Sequence, residues 1–152
     1  MSKYEQLLIE NQHIKIKDTV KLPYGYKGFY SDQVILIDDS LTEYKKHETL
    51  AEEIAHYKIT AGNILDQSDV LNKKLELKAR RLAYASVITL QGIINAFDYG
   101  VENIHDLALY FEVSQEFVLN TINHYKQKYG LFVRCGDCLI KFEPLIVCKD
   151  IN

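Results

Sequence analysis

Apolar residues change their spacing several times along this chain, and each change marks an element. Tyr4, Leu7 and Leu8 fall at helical spacing between Lys3 and Glu10, which predicts a short amphipathic helix. His13-Ile14-Lys15-Ile16-Lys17 then alternates like a half-buried strand. Lys21 to Gly28 holds the first proline and two of the seven glycines, as a turn region would. Gln33-Val34-Ile35-Leu36-Ile37 is a short apolar strand ending at Asp38-Asp39, and the strands together predict a small antiparallel sheet. Glu43 through Lys58 contains no Gly or Pro, and Leu50, Ile54 and Tyr57 make one buried stripe, so a helix capped by Ser40 or Thr42 is expected. Thr60-Ala61-Gly62-Asn63 stops it, and a linker follows through Gln67-Ser68. A second helix is predicted from Asp69 to about Ile88, with Leu75, Ala79, Leu82, Ala83 and Val87 on its packed face.

Beyond Thr89 the pattern shortens to three helices, Leu90 to Tyr99, Ile104 to Phe111 and Gln115 to Tyr129, broken at Gly100 and at Val113-Ser114. Leu131-Phe132-Val133 and Leu139-Ile140-Lys141-Phe142 flank Cys135 to Cys138 as a hairpin. The expected fold is α+β: a mainly helical core with a small N-terminal antiparallel sheet, then a helical triplet and a terminal hairpin. A division into 1–88 and 89–152, packed as one unit, follows from the change of pattern.

Composition narrows the classes. A chain of 152 residues with 47% hydrophobic content can bury a real core but not two large independent domains. Its net charge of -3 and pI near 5.9 give no overall basic field, which makes a nucleic-acid partner unlikely on totals alone. Met1-Ser2-Lys3-Tyr4-Glu5-Gln6 lacks the basic start and apolar run of a signal peptide, and no apolar stretch nears the roughly 20 residues of a membrane helix. A cytoplasmic protein without membrane association is therefore expected. The three cysteines, Cys135, Cys138 and Cys148, are odd in number and close together, so reduced thiols are the default. Cys135-Gly136-Asp137-Cys138 has the spacing of half a zinc site, but no second pair completes it, and Gly-Asp suits a tight turn.

The chemistry lies at Glu52-Glu53-Ile54-Ala55-His56. Zinc peptidases present two metal ligands at i and i+4 of a helix, with a Glu next to the first to take a proton from the attacking water. Glu52 and His56 have that spacing, and Glu53 stands where the base must. The pattern is EExxH in place of HExxH, and zinc accepts carboxylate oxygen. Adjacent glutamates on a helix are also common as solvated surface charge. A catalytic zinc takes a third protein ligand, for which Glu76 in the next helix is the first candidate and Asp66 and Asp69 the alternatives. His47-Glu48 begins like a second motif, but Ala51 stands four residues on and ends it.

Leu50-Ala51-Glu52-Glu53-Ile54-Ala55-His56-Tyr57, with Thr60 to Asp66 after it, resembles the ImmA/IrrE family of metallopeptidases, in particular the prophage branch with a LAEELGH-type motif. The likeness extends through Glu76-Leu77-Lys78-Ala79-Arg80-Arg81-Leu82-Ala83, Tyr129-Gly130-Leu131 and Phe142-Glu143-Pro144-Leu145. It implies a zincin-like fold, Zn2+ as cofactor, Glu52, His56 and Glu76 as ligands, and Glu53 as general base. It also implies a substrate, the helix-turn-helix repressor that silences a phage or mobile element, and hence an anti-repressor role. Glu at the first ligand position adds negative charge to the zinc, so its water should be less acidified and cleavage slow or highly restricted.

Ile104 to Phe111, Val113-Ser114 and Phe117 to Ile122 read like a helix-turn-helix. The second helix starts with Ser114-Gln115-Glu116, acidic where a DNA reader would be basic, and its lysines, Lys126 and Lys128, lie at the far end. A structural role, or a surface for gripping a protein substrate, is expected of it. Other classes remain open beside the peptidase: a non-catalytic protein that binds a regulator, and a DNA-binding regulator.

Overall fold

The structure, a computed structural model, describes residues 1–60 and 69–149, the side chains of 69–72 excepted. By contacts along the chain it divides into two compact units, Met1–Ala83 and Tyr84–Asn152.

The first unit opens with helix α1 (Lys3–Glu10), whose N-cap Ser2 side chain accepts the Glu5 N–H. Strands β1 (Lys15–Val20), β2 (Gly28–Ser31) and β3 (Val34–Asp38) follow, in the order β1-β3-β2. The α+β class is as expected, and the sheet contains the antiparallel pair, β2 with β3. It differs in having β1 parallel to β3, because the turn region after β1 carries the chain across to the far side of β3 before it reverses. Sequence reading also stopped short of β2, whose four residues follow a segment with Gly25 and are only half-buried at alternate positions. Asp32 and Gln33, both at positive φ (51° and 64°), form the two-residue turn that joins β2 to β3.

Helix α2 (Glu43–Thr60) lies against β2, β3 and α1. Its apolar stripe works as the spacing predicts: Leu50 and Ile54 are buried with Tyr4, Ile14, Ile35 and Ile37, and Tyr57 packs against them. Asp38 anchors the sheet's end, accepting N–H bonds from Leu22 (2.8 Å) and Ser40 (3.1 Å). Helix α3 (Asp69–Val87) buries Ala79 and Ala83, while Leu82, expected on the packed face, is largely exposed.

The second unit packs α4 (Leu90–Tyr99), α5 (Ile104–Phe111) and α6 (Gln115–Tyr129) with strands β4 (Phe132–Cys135), β5 (Cys138–Phe142) and β6 (Leu145–Lys149). The three helices match their predicted spans because each has a side-chain cap, from Thr89, Asn103 and Ser114. Tyr125 closes the core by donating its hydroxyl to the Ile88 carbonyl at 2.6 Å. The terminal sheet has three strands where a two-stranded hairpin was expected, since Glu143-Pro144 reverses the chain and Leu145 and Val147 turn inward. Cys135 and Cys138 face each other across the turn at Gly136 (φ +58°), and all three thiols are free. No helix among the described residues is long and apolar enough to cross a membrane.

Candidate metal centre

A cleft of about 680 Å³ opens in the first unit. Its floor is the C-terminal half of α2, with Glu53, His56 and Thr60, and its sides are Tyr26 with the β2 residues Gly28, Phe29 and Tyr30, and Leu75, Glu76 and Arg80 of α3.

Glu53 and His56 reach the same cleft because three residues make nearly one helical turn. Thr60 completes the face one turn on, its hydroxyl donating to the His56 carbonyl at 2.8 Å. His56 Nε2 and Glu76 Oε1 are 3.3 Å apart. The imidazole is 15% exposed and the carboxylate 56%, so Glu76 reaches His56 from a solvent-facing position. Two ligand atoms on a tetrahedral zinc, with bonds of about 2.1 Å, lie about 3.4 Å apart. The His56–Glu76 spacing therefore suits two neighbouring ligands of one ion.

Glu52 and Glu53 are half-buried. Burial, and then the negative charges of Glu52 and Glu76, push the Glu53 carboxyl up to about 8. The Glu52 carboxyl is raised too, mainly by burial, against the attraction of Arg80 and with Glu48 and Glu76 adding repulsion. Carboxyls that act on one another in this way repel, and a cation beside them would reverse the effect. Among the described residues, however, no three His, Cys, Asp or Glu side chains are grouped so as to hold an ion together. His56 and Glu76 are brought into contact; Glu52 is near enough to act electrostatically on both Glu53 and Glu76. Asp66, and the side chain of Asp69, lie outside the described residues.

Strand β2 shapes the other side. A Cβ added to Gly28 would stand 2.6 Å from Thr49 Cγ2 and 3.1 Å from Glu53 Cγ, so the missing side chain lets the strand sit directly on α2. Tyr30 packs edge-on against Tyr57, their ring centres 5.9 Å apart. The Lys27 carbonyl accepts the Asp38 N–H at 2.9 Å. By the alternation of an antiparallel pair, Phe29 and Ser31 also bond to β3, whereas the N–H and C=O groups of Gly28 and Tyr30 point to the open edge. Sequence reasoning named none of these β2 residues, nor Thr60 or Arg80, as functional. A glycine followed by alternating Phe-Tyr-Ser was the available signal for a strand in close backbone contact.

A family model described as Peptidase_M78, IrrE N-terminal-like domain, matches residues 8–123. The chain belongs to this family. The match takes in the whole cleft and supports a metallopeptidase-like function. Comparison with curated proteins and with solved structures found no match.

Proposed function

We propose that this family member is a zinc-dependent endopeptidase that cleaves one peptide bond in a helix-turn-helix repressor of a phage or mobile element. The observation that carries the reading is the His56 Nε2–Glu76 Oε1 spacing of 3.3 Å beside the half-buried Glu53, in a cleft of a peptidase-family chain. The donor types fit zinc: one imidazole and two carboxylates, leaving a position for the chemistry. Zinc held by Glu52, His56 and Glu76 would supply the Lewis acidity that activates a water and polarises a carbonyl.

The chain's own residues do the rest. Glu53 takes the proton of the attacking water and hands it to the leaving amine. Its raised affinity for protons in the metal-free molecule falls when positive charge stands beside it, leaving it ionised and able to act as the base. The edge of β2 at Gly28 and Tyr30, which has no strand partner among the described residues, aligns the substrate in extended form by adding it as a further strand.

Metal analysis of purified wild type beside Glu52→Ala, His56→Ala and Glu76→Ala is the test. About one zinc per chain, lost in each variant while the fold persists, is the expected result. No metal in wild type after zinc is supplied would end the peptidase reading. It would leave the second one, a binding protein that holds a repressor without cutting it, which is favoured by the absence of a three-residue ligand group among the described residues. A repressor response that survives Glu53→Gln and scales with the amount of protein would identify the binder.

A protein partner is proposed over DNA for the second unit. The exposed side of α6 from Gln115 to Asn123 carries Gln115, Glu116, Leu119, Asn120 and Asn123, without a lysine or arginine to meet phosphate.

A further inference from the structure

The peptidase reading, on which this inference rests, leaves one group unassigned: the donor for the oxygen that turns negative during hydrolysis. Water attacks the carbonyl carbon, passes a proton to Glu53 and pushes the carbonyl π electrons onto that oxygen. When the pair returns, the C–N bond breaks and the amine leaves with the proton from Glu53; the new acid's remaining proton ends on the amine. Two glutamate ligands would cancel the charge of a divalent ion, whereas two imidazoles and one carboxylate leave a net positive charge. Glu52 in the first ligand position therefore removes part of the attraction for the oxyanion, and a second cation gains importance.

Among the described residues one such cation lines the cleft, Arg80. It lies one helical turn beyond Glu76 on α3, so the two project from the same side of the helix. Arg80 is solvent-exposed, and its charge acts on Glu52 from the cleft wall. The other side-chain donors in the cleft are weaker candidates. The Thr60 hydroxyl is already given to the His56 carbonyl, and the Tyr26 and Tyr30 hydroxyls carry no charge. A guanidinium is always charged and offers two parallel N–H groups.

We propose that Arg80 is the oxyanion-stabilising residue of this cleft, binding the tetrahedral anion that forms between Glu53 and the α3 side.

The test uses the full chain loaded with Co2+, whose visible spectrum reports the metal's surroundings, and two probes. N-phosphoryl-Leu-Phe presents a tetrahedral anion; acetohydroxamate binds the metal without one. Wild type is expected to bind both. Arg80→Gln should keep its metal and its acetohydroxamate affinity but bind the phosphoryl dipeptide at least tenfold more weakly, the lower end of what losing one oxyanion donor costs being about 100-fold in rate. Arg80→Lys should fall between, keeping the charge without the fork. Equal binding of the phosphoryl dipeptide by wild type and Arg80→Gln would overturn the role, as would wild type that takes acetohydroxamate but not the phosphoryl probe. Loss of metal or acetohydroxamate binding in wild type would instead remove the zinc site beneath the inference.

Discussion

Helices α2 and α6 are of similar length and obey opposite rules on their inward faces. In α6, Phe117, Val118, Thr121 and Tyr125 are buried, the Thr121 hydroxyl is returned to the Phe117 carbonyl at 2.8 Å, and Ser114 caps the first turn. Local propensity, burial and hydrogen bonding agree there, as they do where a sequence serves only its fold. In α2 the sheet-facing stripe follows the same rules, but beyond it Glu52 and Glu53 are half-buried, and each feels the negative charge of the other or of Glu76. Such a cluster costs stability that an ordinary helix would not give up. The proposed peptidase chemistry would use a carboxyl of such altered proton affinity.

Replacing the costly group breaks this contrast most sharply. Glu53→Gln is expected to lower peptidase activity by about 10²–10⁴-fold while metal content is unchanged, measured on the repressor substrate beside elemental analysis. The metal-free fold should respond in the opposite direction. With a folded value about 8 against an ordinary 4.5, Glu53 keeps a proton in the native chain that the unfolded chain has released. Its favourable contribution is complete below about pH 4.5 and is lost as pH rises to about 8. Chemical denaturation of the metal-free protein should thus show wild type weakening across that window and Glu53→Gln weakening less. A steeper decline in the variant would mean that another group governs the window.

A purely structural substitution in the second unit should separate fold from chemistry. Leu107 is fully buried among Ile93, Phe111 and Val118, so Leu107→Ala should cost about 2–5 kcal/mol in thermal or denaturant unfolding. Metal bound per folded chain should stay as in wild type, because the proposed ligands Glu52, His56 and Glu76 all lie in the first unit. Gly28→Ala tests the contact that the cleft depends on. Its new methyl would meet Thr49 and Glu53, so a loss of about 1–3 kcal/mol is expected, with weaker metal binding in the same variant. Unchanged stability would show that β2 can lift from α2 freely.

How far these features could be read in advance follows from the range of the interactions behind them. The spans of α1, α4, α5 and α6 were legible because caps and spacing are local signals. The candidate set Glu52, Glu53, His56 was legible for the same reason, all three lying within little more than one turn. Glu76 was legible only as the first of three candidates, ahead of Asp66 and Asp69, since its approach to His56 depends on how α3 is placed in the unit. Strand β2 and Arg80 escaped notice: β2 is held by pairing with β3 and by the close approach of Gly28 to α2. Arg80 looks like any helix-surface cation until the cleft is formed.

The smallest effect concerns how the two helices begin. The Ser114 Oγ accepts the Phe117 N–H at 3.1 Å in a partly buried position, whereas the Thr42 Oγ1 accepts the Lys45 N–H at 3.3 Å in an exposed one. Removing a capping hydroxyl costs about 0.5–2 kcal/mol, and more where water cannot take its place. Ser114→Ala should therefore destabilise by about 1 kcal/mol and Thr42→Ala by less, read from unfolding midpoints. The order matters because α2 is held by the sheet-facing stripe of Leu50 and Ile54 as well as by its start. If Thr42→Ala proved the costlier change and also released metal, the first turn of α2 would have to be counted among the supports of the metal centre.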